Sequence, residues 1–145
     1  VSSAIRNEMR LISIVLGTAS SKARIDGSQA LLNYGYRFFS TDTLFRANEE
    51  IINAKTWKAE NDSTSIGIAD DLTITLPKGA SKRLVYENNL PDIIEGPIIS
   101  KQKIGSVSIS LDDEIINTVP LVALEDNPSG GLLKQIQDTI QLWFE

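Results

Sequence analysis

The chain has 145 residues, 41% hydrophobic and 23% charged, with a formal net charge of −5. That is room for one ordinary domain, or one small domain and a piece of another, with enough apolar side chains for a core. The acidic balance argues against a nucleic-acid partner, and the absence of Cys and His removes disulfides, thiol nucleophiles, imidazole bases and the usual zinc ligand sets.

No apolar run approaches the roughly 20 residues of a membrane span. The opening VSSAIRN has no Met and no basic-then-apolar leader pattern. It starts inside a plausible strand, so a fragment of a longer protein is expected. Val1 to Ile5 reads as the tail of a strand, and Arg6-Asn7-Glu8 as a turn. Leu11, Ile12, Ile14, Val15 and Leu16, closed by Gly17, read as a strand buried on both faces. A lone hairpin cannot bury both faces, so further strands and helices are expected outside this chain.

Thr18 to Lys22 is a small polar loop, and Ser20, Ser21 or Asp26 is placed to cap a following helix. Ala30, Leu31, Tyr34 and Phe38 fall at helical spacing and form the stripe expected to pack on a sheet; Tyr36 and Phe39 lie off it. Ser40-Thr41-Asp42-Thr43 reads as a polar connector and domain boundary.

After it the period changes to two. Leu72, Ile74 and Leu76 alternate with threonines, and Val107, Ile109 and Leu111 with serines. Strands are also expected over 51–59, 65–68, 83–88 and 115–124. Asn61-Asp62-Ser63, Pro77-Lys78-Gly79 and Asp112-Asp113 read as turns. Strands this short and regular suggest an antiparallel β-sandwich. The acidic groups Glu49-Glu50, Asp70-Asp71 and Asp112-Asp113-Glu114 read as solvated turn residues, so no metal site and no cofactor is expected.

Ser129-Gly130-Gly131 reads as a hinge. Beyond it Leu132, Leu133, Ile136, Ile140, Trp143 and Phe144 project, at ~100° per residue, into one arc of roughly 120°. Lys134, Gln135, Asp138 and Gln141 take the other side. Such a helix either docks on protein or lies on a membrane surface, where Trp and Phe suit the headgroup region. The stretch is not basic, so attraction to anionic lipid is weak.

Read collinearly, these segments resemble one family. Val1-Ser2-Ser3-Ala4, then Met9-Arg10-Leu11-Ile12-Ser13-Ile14-Val15-Leu16-Gly17, then Gly35-Tyr36-Arg37-Phe38-Phe39 match its L-V-x-S-A, M-R-L-I-S-x-V-x-G and G-x-R-F-F segments. Trp57, Ser65-Ile66-Gly67 through Asp71-Leu72 to Thr75-Leu76-Pro77, and Pro120-Leu121-Val122-Ala123-Leu124-Glu125 with Pro128 follow in order. Pro97-Ile98, Gln102 and Gly105 match a P-I-x-K-G-Q-x-x-G turn, except that Ser100 stands for its lysine and Lys101 for its glycine. The family is the D-alanyl-D-alanine carboxypeptidases, low-molecular-mass penicillin-binding proteins.

The resemblance implies a mainly β fold with α. Residues 1–39 would be the closing strands and helix of an α/β transpeptidase-like catalytic domain. Residues 40–128 would be a small antiparallel β-sandwich stalk, and residues 129–145 an amphipathic membrane-facing helix. It implies a parent serine peptidase that trims the terminal D-alanine from peptidoglycan stem peptides through an acyl-serine intermediate and is acylated by β-lactams. That chemistry needs S-x-x-K, S-x-N and K-T-G, which the family carries upstream of the segment matched here.

No catalytic residue is therefore expected in this chain, and on its own it should be inactive. Arg24 matches the family's arginine that holds the substrate carboxylate, a task suited to a planar guanidinium. Leu132, Leu133, Ile136, Ile140, Trp143 and Phe144 would touch the membrane. The implied partners are the N-terminal catalytic portion, stem peptide and β-lactams through it, and the outer face of the cytoplasmic membrane in the periplasm. The alternative is a non-catalytic sandwich that binds or spaces something at the membrane or cell wall. Two look-alikes, Ser100-Lys101-Gln102-Lys103 and Lys55-Thr56-Trp57, lack the helix start and the glycine that the motifs need.

Overall fold

The computed structural model of the chain describes residues 1–142. The elements run β1 (Ser2–Arg6), β2 (Met9–Ser13), α1 (Ser21–Phe38), β3 (Phe39–Phe45), β4 (Glu50–Lys55), β5 (Ser63–Gly67), β6 (Leu72–Pro77), a 3-10 turn (Ala80–Arg83), β7 (Leu84–Asn89), β8 (Lys103–Leu111), β9 (Glu114–Ala123) and α2 (Leu132–Leu142). This is the expected class, mainly β with two helices. By compactness the chain forms two units. One comprises Val1–Thr43 with Thr73–Arg83; the other comprises Leu44–Leu72 and the chain from Leu84 onward.

In the first unit β1 and β2 form an antiparallel hairpin from Ser2↔Ser13 to Arg6↔Met9. Asn7 and Glu8 turn it at φ 47° and 63°, the positive-φ pair that a two-residue hairpin turn needs. Ser20 caps α1, its hydroxyl accepting from the Ala23 N–H at 3.1 Å, which satisfies one of the orphan donors of the first turn. At the other end the Phe39 N–H donates to the Gly35 carbonyl as the chain turns extended.

Neither apolar run of this unit is covered by the unit itself. The strand stops at Ser13, and Ile12, Ile14 and Leu16 are exposed. The face that α1 turns to the hairpin is not the apolar stripe but one of small residues. Gly27 lies against Val15, Ser28 is buried, and the space beside Gly35 is filled by Leu11. A Cβ at Gly35 would press on the tip of the Leu11 side chain, which would have to shift, so the glycine lets helix and strand approach closely. Leu31, Tyr34 and Phe38 point away from that contact and are exposed. The expected connector Ser40–Thr43 is also no loop. It lies in β3, which pairs with β6, and the Thr41 and Thr75 hydroxyls bond across the pair at 2.7 Å. Threonine suits a pleated, half-buried surface.

The second unit is a five-stranded sheet in the order β4-β5-β9-β8-β7, with antiparallel ladders such as Val107↔Val119 and Ile66↔Ala123. Alternation puts Ile66, Val107, Leu121 and Ala123 on one face, where they meet Ile68 and, from the irregular stretch 90–102, Ile94 and Ile98. That stretch is pinned by bridges Trp57↔Glu95 and Ile98↔Asn127. Lys101, at the family's glycine position, has φ 67°, the left-handed conformation that glycine takes without penalty.

Candidate functional site

α2 is held to its unit by its polar side. Asp138 is only 8% exposed, and its carboxylate accepts the Lys58 backbone N–H at 2.7 Å. Lys58 has φ 59°. One turn earlier Lys134 reaches the Glu60 carbonyl at 2.9 Å and the Asp62 carboxylate at 2.6 Å. Hydrogen bonding to Lys134, then its charge, lowers the pKa of the exposed Asp62 carboxyl below its ordinary 3.8. Gln135 donates to the Gly130 carbonyl at 2.8 Å.

The approach to α2 is fixed rather than hinged at Gly130. That residue is buried, its N–H donates to the Lys58 carbonyl at 2.8 Å, and a Cβ there would stand 2.7 Å from the Ala59 carbonyl oxygen. With the polar side engaged, Leu132, Leu133, Ile136 and Ile140 are left 56–85% exposed. Trp143 and Phe144, expected on the same face, lie outside the described residues. Among the described residues no helix is long and apolar enough to cross a membrane.

Arg24 sits in the first turn of α1, exposed, with Nη2 donating to the Ser21 hydroxyl at 3.3 Å. Lys22 is engaged elsewhere, with Asp26 at 2.6 Å. Arg24 and the α2 residues belong to different units. The hairpin and α1 also leave Ile5, Ile12, Ile25, Leu31, Tyr34 and Phe38 exposed.

The residues of the look-alike motifs make local contacts. Ser100 lies in a turn, donating its hydroxyl to the Leu124 carbonyl at 3.1 Å and its N–H to Asp126 at 2.7 Å. Thr56 is buried with its hydroxyl on that of Thr64 at 2.8 Å, and the Lys55 ammonium stands 3.6 Å from the centre of the Trp57 ring. The acidic groups also do local work. Glu50 accepts from Asn53 and Ser65, and Asp71 accepts the Ala47 N–H. Asp112 and Asp113 form a positive-φ turn between β8 and β9. No group of three acidic residues suited to a metal occurs among the described residues.

Two residues escaped the sequence reading. Asn127 is buried and fully used. Its Nδ2 donates to the carbonyls of Asn61 and Ser63 and to the Thr64 hydroxyl, and its Oδ1 accepts the Asn61 N–H. Asp138 was read only as part of a polar face. An Asn before proline signals a turn, and an acidic residue on an amphipathic helix signals solvent. Neither pattern announces a buried tie to a backbone far away in sequence.

The chain is similar to known proteins along nearly its whole length. The family described as penicillin-binding protein 5, C-terminal domain, matches residues 39–129. The D-alanyl-D-alanine carboxypeptidase DacA of Escherichia coli K12 is 34% identical over 99% of this chain, which corresponds to 36% of that protein. A crystal structure of penicillin binding protein 5 from Haemophilus influenzae superposes with a TM-score of 0.78 at 30% identity, covering 88% of this chain and 38% of that one. The carboxypeptidase DacD of Francisella tularensis gives 0.61 at 27% identity over 88% and 32%. The chain thus spans just over a third of the length of the curated relatives it matches.

Proposed function

This chain belongs to the penicillin-binding protein 5 C-terminal domain family, and from that premise we propose that it is the C-terminal portion of a serine-type D-alanyl-D-alanine carboxypeptidase. The whole protein would remove the terminal D-alanine from peptidoglycan stem peptides in the periplasm and be acylated by β-lactams. This chain would supply the closing hairpin and helix of the catalytic domain, the stalk and the contact with the outer face of the cytoplasmic membrane.

The observation that carries the membrane role is the way α2 is held. Its Asp138 and Lys134 side is tied to the protein while Leu132, Leu133, Ile136 and Ile140 face out. An amphipathic helix fixed in that sense lies flat on a bilayer with its apolar side in the headgroup–acyl boundary. Its one described basic residue, Lys134, is already paired with Asp62, so binding should rest on apolar area rather than on anionic lipid. The exposed apolar residues of α1 and β2 support the second role, as a surface that the N-terminal catalytic portion covers. Arg24, exposed at the start of α1, is proposed to hold the substrate's terminal carboxylate.

Three experiments test this. Flotation of the full-length protein with neutral phosphatidylcholine vesicles should be strong and insensitive to salt, and the pair Ile136→Ser with Ile140→Ser should abolish it. Flotation that vanishes in salt, or survives that pair, contradicts the membrane role. Labelling with a fluorescent penicillin should mark the full-length protein and leave the isolated chain blank. In the same enzyme Arg24→Ala should raise KM for a D-alanyl-D-alanine peptide by about tenfold or more, with a smaller change in kcat.

A further inference from the structure

A cavity in the first unit has the makings of an anion site. It has a volume of about 280 Å³ and is lined by the β1–β2 turn (Arg6, Asn7), Met9, the end of α1 (Tyr36), the start of β3 and Lys78. In a chain of net charge −5, two cations line this space and none of its lining residues is acidic. Each is positioned by its surroundings. The Arg6 guanidinium lies 4.7 Å from the centre of the Tyr36 ring, a stacking that leaves its in-plane donors available. The Lys78 ammonium is anchored on the Tyr36 carbonyl at 2.9 Å, and the Lys78 N–H donates to the Phe38 carbonyl at 2.8 Å. An ammonium has three donors, so two remain.

The apolar part of the lining is Met9, which is buried, and Phe39, which is half-buried. We propose that this cavity binds a small organic carboxylate. Arg6 and Lys78 supply the charge and the hydrogen-bond donors, and Met9 and Phe39 face the ligand's short apolar part. A free short-chain acid and the C-terminus of a peptide present the same chemistry. The inference does not depend on the catalytic activity of the longer protein.

The test follows the Met9 methyl signal in the full-length protein, 13C-labelled at methionine and identified by comparison with Met9→Leu. Propionate stands for a free acid and N-acetylglycine for a peptide end. Saturable movement of that signal with either is expected, and the tighter of the two identifies the source. Arg6→Gln and Lys78→Gln should each weaken it by about tenfold, as expected for loss of a charge-assisted hydrogen bond. Failure to saturate by about 100 mM, an equal response to chloride at the same ionic strength, or affinity unchanged in both Arg6→Gln and Lys78→Gln overturns the proposal.

Discussion

The five-stranded unit and the hairpin-and-helix unit bury their apolar residues very differently. In the first, Ile66, Ile68, Ile98, Val107, Ile109 and Leu121 are fully buried. In the second, Met9 and Leu76 are buried, while Ile5, Ile12, Ile25, Leu31, Tyr34 and Phe38 stay exposed. Val107 and Ile109 in the sheet, and Leu31, Tyr34 and Phe38 on α1, all have the periodicity of core faces. The difference teaches that periodicity reports a face to be covered without saying what covers it. The sheet finds its cover in the stretch 90–102, and the stripe of α1 finds none in its own unit, because the helix uses small residues against the hairpin.

The largest expected effects lie in the five-stranded unit. Leu121→Ala should lower the stability of that unit by about 3–4 kcal/mol in chemical denaturation, since it removes a fully buried side chain and leaves a cavity. Leu31→Ala, on the exposed stripe, should change the isolated chain by about 0.5 kcal/mol or less, yet destabilise the full-length protein clearly. Equal losses for Leu121→Ala and Leu31→Ala in the isolated chain would break the comparison. Asn127→Ala should cost about 3 kcal/mol, because it strips partners from several buried polar groups at once.

Next comes α2. Asp138→Ala leaves the Lys58 N–H without its carboxylate and should release the helix at a cost of about 1–2 kcal/mol. Hydrogen exchange should rise over 132–142 and stay unchanged in β8 and β9. Lys101→Gly should go the other way, stabilising the sheet unit by about 0.5–1 kcal/mol, as the left-handed strain relieved outweighs the freedom glycine adds to the unfolded chain. A loss on Lys101→Gly would mean that the side chain earns its place by some contact. The smallest effect is that of pH on the Asp62–Lys134 pair. Because the Asp62 pKa is lowered on folding, its contribution is intact above the ordinary 3.8 and is lost only as pH falls through the lower folded value. Asp62→Asn should remove that acid-side dependence of α2 and leave neutral-pH behaviour nearly unchanged, since Asp62 is exposed to solvent.

Much of this molecule was legible in its sequence. Period-two alternation located β6 and β8, and Ser20 was among the capping candidates named. The exposed apolar side of α2 was readable as far as Ile140. What was not legible has one physical origin: it depends on contacts between segments far apart in the chain. Gly35 looked like part of a motif, and its role beside Leu11 appears only when strand and helix are brought together. Gly130 looked like a hinge, and proves to be a close approach to Ala59. Thr41 looked like linker until Thr75 was opposite it. Asn127 and Asp138 tie segments 60 or more residues away, a separation at which no local pattern operates.

The central proposal is that the sheet unit covers its own apolar face while the hairpin and α1 form a surface finished by another part of the same protein. Amide hydrogen exchange of the isolated chain, compared with the full-length protein, tests it most directly. The account predicts that β5, β8 and β9 are strongly protected in both, whereas β1, β2 and α1 exchange quickly in the isolated chain and become protected at full length. Protection of α1 in the isolated chain as strong as that of β8 and β9, or no gain at full length, would contradict it.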